Sequence, residues 1–198
     1  MQRYDVINHL IDVNGYKSYL EIGTQADKCL EMVSCEYKYG VDPNPVLHKE
    51  ENATEFYQIA SDDFFDMNDR EYDIVFVDGL HEEEQVKRDI ANALFFLRDG
   101  GCIVVHDCNP QEEINQEYPM PHVKNWNGTV WKAWVFFRGF DFLRMFVVDT
   151  DQGCGVIFRG EQKPLSIDSP TFEEFSKNRN AWLNLISIDK FYEAAKSI

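Results

Sequence analysis

The stretch from Tyr72 to Asp107 restricts the folds open to this chain more than any other. Ile74-Val75-Phe76-Val77 is a short, unbroken apolar run rich in β-branched and aromatic residues, the pattern of a strand buried on both faces. It stops at Asp78-Gly79. Val86, Ile90, Leu94 and Leu97 then recur at helical spacing and make one apolar helix face. Arg98-Asp99-Gly100-Gly101 supplies a helix stop, since glycine takes the left-handed cap without strain. A second buried run, Cys102 to Val105, ends in His106-Asp107. Strand, helix and strand of this size form a right-handed crossover between parallel strands, so both strands finish at one sheet edge. Open α/β sheets bind their ligands at that edge. Asp78, His81, His106 and Asp107 are therefore expected there together.

The remaining segments extend the same scheme. Residues 3–14 carry an amphipathic face of Val6, Ile7, Leu10 and Ile11, closed by Asn14-Gly15. Tyr19 to Ile22 reads as a first strand, 26–35 as a helix, and Tyr37 to Val41 as a second strand ending at Asp42-Pro43. Phe56 to Ala60 reads as a third strand, after which Ser61 is placed to cap a short helix. From Cys108 to Asn127 there is no period, and long structureless loops of this kind are often lids. Tyr118, Met120 and His122 are its candidate substrate contacts. Gly128 to Phe140 reads as a helix, Arg144 to Asp149 and Gly155 to Arg159 as a hairpin, and 171–196 as helical with a break near Ser187. Strands alternating with helices, then a hairpin, describe a doubly wound α/β domain. Its sheet is expected to be seven-stranded and mostly parallel, with an antiparallel closing hairpin.

The 198 residues suit one domain: a helix over 1–17, the α/β core over 18–160 and a helical extension over 161–198. A net charge of −16 disfavours nucleic acid and anionic membranes as partners. Five cysteines without a CxxC pair suggest neither a disulfide framework nor a zinc ribbon. The opening residues show no secretory apolar run, and no segment has the length of a membrane span, so a cytoplasmic location is expected.

Two constellations carry chemistry. Glu21-Ile22-Gly23-Thr24 lies at a strand end, with Asp42 at the next strand end. In nucleotide-binding half-domains such a glycine lets backbone approach the ligand, and the acidic residue about 20 positions on binds ribose hydroxyls. A full GxGxxG is missing, because Gln25-Ala26-Asp27 follows Thr24, and Asp27 near that turn would repel a pyrophosphate. Together with Gly40-Val41-Asp42-Pro43, Ala60-Ser61-Asp62, Tyr72 to His81 and Arg98 to Gly101, this order of motifs resembles the class I S-adenosylmethionine-dependent methyltransferases. Its likeness is to the small-molecule O-methyltransferase-like branch with Asp-Gly-x-His and His-Asp motifs. The resemblance implies a Rossmann-like fold and S-adenosylmethionine as cofactor, with Gly23 and Thr24 under its methionine part. It also implies that Glu21 braces that turn or meets the amine, that Asp42 holds the ribose diol, and that Ser61 and Asp62 border the adenine. Asp78 completes the cofactor set.

The second constellation is Asp78, His81, His106 and Asp107. In metal-assisted relatives, oxygen ligands after these two strands hold Mg²⁺, so Asp78, His106 and Asp107 are the metal candidates. His106 is a poor Mg²⁺ ligand, which favours a metal-free base, His81 or His106. Trp126, Trp131 and Trp134 either line an acceptor pocket or belong to the core. The expected reaction is methylation of a small-molecule hydroxyl, with the association of like chains left open. A nicotinamide-dependent oxidoreductase and a non-catalytic cofactor-binding scaffold are the alternatives.

Overall fold

The computed structural model describes residues 1–117 and 120–196. The strands are β1 (Ser18–Ile22), β2 (Tyr37–Val41), β3 (Glu55–Tyr57), β4 (Tyr72–Val77), β5 (Leu97–Val105), β6 (Leu143–Val148), β7 (Cys154–Arg159) and β8 (Leu185–Ile186). They form one sheet in the order β3-β2-β1-β4-β5-β7-β6-β8. The first five strands are mutually parallel, and β7 inserts antiparallel between β5 and β6. The sheet has eight strands, one more than expected. The extra one, β8, is two residues long and pairs parallel with β6, too short to show an alternation of its own.

The helices are α1 (Arg3–Asn14), α2 (Lys28–Met32), α3 (Ser61–Met67), α4 (Glu83–Phe95), α5 (Val130–Phe137), α6 (Phe172–Leu183) and α7 (Ile188–Ala194). Alternate residues of each central strand feed two cores. Val75, Val77, Ile103 and Val105 pack under α3, α4, α5 and α6, whereas Ile74, Phe76, Cys102 and Val104 pack under α1, α2 and α7. That alternation decides where the residues after each strand point.

Several boundaries move. Helix α4 ends at Phe95, so Leu97 is the first residue of β5 and Arg98 to Gly101 lie within that strand rather than in a helix cap. The register between β4 and β5 shifts between Tyr72 and Ile74, with Gly100 at φ 76°. The chain there is irregular strand, and glycine serves that irregularity. Strand β3 ends at Tyr57, three residues before the expected limit. Ala60 occupies the cap position of α3, and Ser61 sits inside the first turn. Ser187 does cap α7, at the expected break.

Candidate active site

Gly23, at φ 88°, turns the chain at the end of β1, where a Cβ would lie 2.3 Å from the Asp78 carbonyl oxygen. The ends of β1 and β4 can approach this closely only over glycine. Beside it, the buried Thr24 hydroxyl has no hydrogen-bond partner. Asp42 ends β2; its Oδ2 accepts from the Gln25 N–H at 2.8 Å and its Oδ1 from the Asn44 N–H at 2.8 Å. It therefore shapes the turn after β1, while each oxygen retains a second lone pair.

Asp27, expected to crowd this turn with negative charge, instead faces the segment before β3. Its Oδ2 meets His48 Nδ1 at 2.7 Å and accepts the Lys49 N–H at 2.8 Å. Glu21 continues the alternation of β1 onto the α1 face, fully buried, where it accepts the Tyr19 hydroxyl. Burial pushes its carboxyl up to about 8, the Tyr19 hydrogen bond working against that. That placement fits a brace beneath the turn.

Ser61 and Asp62 are tied to α4. The Ser61 hydroxyl donates to Asp89 Oδ1 at 2.6 Å, while Asp62 accepts from Gln85 Nε2 at 3.0 Å and Arg88 Nε at 3.2 Å. Asp89, which sequence reasoning missed, is buried with its Oδ2 unpartnered and near Gly79. Burial pushes its carboxyl up to about 6. It lies on α4 at a position that the apolar stripe Val86–Ile90 alone does not single out.

The four residues of the second constellation converge. His81 Nε2 is 3.4 Å from Asp78 Oδ1, and His81 Nδ1 is 3.5 Å from Asp107 Oδ2. His106 Nδ1 donates to Asp107 Oδ2 at 2.8 Å and lies 3.2 Å from Asp78 Oδ1. Asp78 and His106 extend the alternations of β4 and β5 onto the α1 face. There Arg3 donates to Asp78 Oδ2 at 2.7 Å and to Asp151 Oδ2 at 3.0 Å. Arg3 and Asp151 carried no sequence signal, being separated by almost the whole core. Asp107 takes φ 62°, and Asn127 Nδ2 donates to its Oδ1 at 3.0 Å.

The two histidines differ in access. His106 has 1% of its side chain exposed, His81 16%, and His81 lies flat against Trp126 with ring centroids 4.8 Å apart. Burial opposes the charge on both rings, but the carboxylates outweigh it. Asp78 and Asp107 hold the His106 imidazole well above its ordinary value, and they raise that of His81 as well. Conversely, Asp78 stays ionised far below the usual carboxylate range: burial works against it, and the His106 charge more than compensates. Arg3 and His106 thus offset most of the negative charge of Asp78, Asp107 and Asp151 within the cluster itself.

Other expected contacts fall elsewhere. Trp131 and Trp134 are fully buried core residues, and only Trp126 of the three borders the site. His122 and Met120 are exposed, and Tyr118 lies outside the described residues. The loop from Cys108 to Asn127 is not bare of structure. It contains a 3₁₀ turn at Glu113–Gln116, and the Asn127 N–H donates to the Asn115 carbonyl at 2.8 Å.

A family model described as a methyltransferase domain matches residues 9–108. The O-methyltransferase TomG of Streptomyces achromogenes, involved in tomaymycin synthesis and solved with S-adenosylmethionine, superposes with a TM-score of 0.62 at 14% identity, covering 80% of this chain and 79% of its own. An O-methyltransferase from Bacillus cereus in complex with S-adenosylhomocysteine gives 0.57 at 13% identity, covering 78% of each chain. A sequence search of curated proteins finds no match.

Proposed function

The chain belongs to the methyltransferase-domain family matched over residues 9–108, and from that premise we propose that it methylates a small molecule at a hydroxyl oxygen, with S-adenosylmethionine as donor. One observation carries the reading: the ends of β4 and β5 bring Asp78, His81 and Asp107 within 4.8 Å of one another, at the edge that also holds Gly23, Thr24 and Asp42. The fold likeness to two O-methyltransferases, one solved with S-adenosylmethionine and one with S-adenosylhomocysteine, supports it.

The residues present fit the cofactor. The unpartnered Thr24 hydroxyl and the Gly23 turn would receive its methionine part, Asp42 its ribose, and the first turn of α3 at Ser61-Asp62 its adenine. When bound, S-adenosylmethionine supplies an electrophilic methyl group on a cationic sulfur. The ionised Asp78 would favour positive charge there, and Glu21 would brace the turn below it.

His81 is the proposed base. It is the more accessible imidazole, Trp126 fixes its ring plane, and Asp78 and Asp107 would stabilise the imidazolium formed when it takes the acceptor's proton. His106, buried and already charged between two carboxylates, holds Asp78 and Asp107 in place. Asp78 Oδ2 accepts from Arg3, and the Asp107 oxygens accept from His106 and Asn127, so each keeps a second lone pair. Asp78, His81 and Asp107 could therefore offer one ligand atom each to a divalent ion, and the metal-free base is preferred because Mg²⁺ favours an all-oxygen set. All five cysteines are free thiols, which supports a reducing, cytoplasmic setting.

The test is calorimetric titration with S-adenosylmethionine and with NAD(H), followed by methyl transfer to a panel of hydroxylated acceptors with and without chelator. His81→Ala should retain cofactor affinity and lower turnover by about 10²–10⁴-fold, the usual worth of a general base. Because His81 must be neutral to accept a proton, the wild-type rate should fall on acidification through a pKa above 6.5. Activity abolished by chelation and restored by Mg²⁺ or Mn²⁺ would overturn the metal-free base. Binding of NAD(H) without S-adenosylmethionine would overturn the reaction class.

A further inference from the structure

The two nitrogens of His106 are served unequally. Nδ1 donates to Asp107 Oδ2 at 2.8 Å, whereas Nε2 is buried without a hydrogen-bond partner. Nε2 lies 3.6 Å from Asp151 Oδ2, too far for a hydrogen bond. Cys154, the first residue of β7, adds a third group: one ligand atom each from His106, Asp151 and Cys154 lie within 4.8 Å of one another. None of the three belongs to the group of Asp78, His81 and Asp107. Asp151 Oδ2 accepts the Arg3 backbone N–H at 2.8 Å and Arg3 Nε at 3.0 Å, but its Oδ1 meets Arg3 only through Nη2 at 3.5 Å and has room for a further bond. His106 and Cys154 are buried, while Asp151 lines a cavity of about 220 Å³ between the loop after β5 and the β6–β7 turn. An ion or a water can reach the cluster from that side.

An imidazole nitrogen, a carboxylate and a thiol converging on one point suit a tetrahedral zinc ion, whose nitrogen, oxygen and sulfur ligands stand about 3.3–3.6 Å apart. Thiolate and imidazole together favour such an ion over Mg²⁺ or Ca²⁺. Histidines that bind metals donate their other ring N–H to a carboxylate, as His106 does to Asp107. The charges also balance. Burial pushes the Cys154 thiol up to about 12, so it carries its proton when no ion is present. An ion of charge +2 would release that proton and the His106 Nε2 proton to solvent, which leaves the net charge around Asp78, Asp107 and Arg3 unchanged. We infer that His106, Asp151 and Cys154 form a structural site for a zinc-class divalent ion, joining the end of β5 to the β6–β7 turn, with water from the cavity as fourth ligand. This goes beyond the methyl-transfer reading and stands without it.

The test titrates the full, reduced, metal-free chain with Co²⁺ and then Zn²⁺. Co²⁺ should give a thiolate-to-metal charge-transfer band that Zn²⁺ displaces. The band should be absent from Cys154→Ser and retained in Cys35→Ser and His81→Ala. Cys154→Ser should weaken Zn²⁺ binding by about 100-fold or more, since losing even a group that only supports a ligand costs about 10–100-fold. A second measurement needs no variant: in imidazole nitrogen NMR of the wild-type chain, Zn²⁺ should shift His106 Nε2 while Nδ1 keeps its proton. A band that survives Cys154→Ser, or no band together with an unmoved His106 Nε2, would overturn the site. A Zn²⁺ shift at His81 in place of His106 would put the ion among Asp78, His81 and Asp107 and would equally overturn it.

Discussion

Glu21 sits on the α1 face of β1 with Tyr19, where burial lifts its carboxyl to about 8. Its folded value exceeds the unfolded one. The stability it contributes is therefore complete below about pH 4.5 and is lost as pH rises towards 8. Over that interval a single such group costs about 1.36 kcal/mol per pH unit. Glu21→Gln, which keeps the Tyr19 hydrogen bond but cannot ionise, should become progressively more stable than wild type from pH 5 to 8. Denaturant midpoints running parallel for the two proteins would refute this. Asp42 makes the complementary residue-scale case. Asp42→Ala should weaken S-adenosylhomocysteine binding by about ten-fold or more, since hydrogen bonds to a charged acceptor contribute about 1.5–3 kcal/mol. Calorimetry reads this directly, and Asp42→Asn separates the lost charge from the lost brace on Gln25 and Asn44.

At the scale of elements, the junction between the loop and α5 bears on His81 through Gly128. Gly128 takes φ 58°, and a Cβ there would lie 2.1 Å from the His81 carbonyl oxygen, while the Thr129 N–H donates to that same oxygen at 2.9 Å. Gly128→Ala should push His81 away from Asp78 and Asp107. The expected outcome is a loss of methyl transfer with cofactor binding retained, and a destabilisation of about 1–3 kcal/mol. Parallel loss of both functions would instead indicate global disruption. The unit β4–α4–β5 was legible because parallel strands buried on both faces read as unbroken apolar runs, and α4 shows one apolar stripe. For the same reason Asp78, His81, His106 and Asp107 could be brought together from sequence, each lying just past such a run. The loop's order was not legible. It is held by side-chain amides such as Asn115 and Asn127, whose partners are set by the turn geometry and leave no period. Nor could spacing tell that His106 would be buried and His81 accessible, since that depends on α1 and Trp126 arriving from elsewhere.

For the molecule as a whole, Arg3 ties α1 to both the β4 end and the β6–β7 turn. Arg3→Met should leave Asp78 and Asp151 facing each other across His106 with one positive charge fewer. A loss of about 1.5–3 kcal/mol in unfolding free energy is expected, because Asp78 and Asp151 each lose a charged donor. Unchanged stability would mean that the pair is held in place but contributes nothing.

The same clasp spans 148 positions of chain. During synthesis, at about 5–20 residues per second, β1 to β5 emerge well before the residue that Arg3 must reach. Asp78, His106 and Asp107 are then present for several seconds without Asp151. A nascent chain halted before the hairpin should consequently fail to retain S-adenosylhomocysteine, although every residue assigned to cofactor contact has already left the ribosome. Competence for the cofactor would arrive late, with the return of the chain to its own beginning.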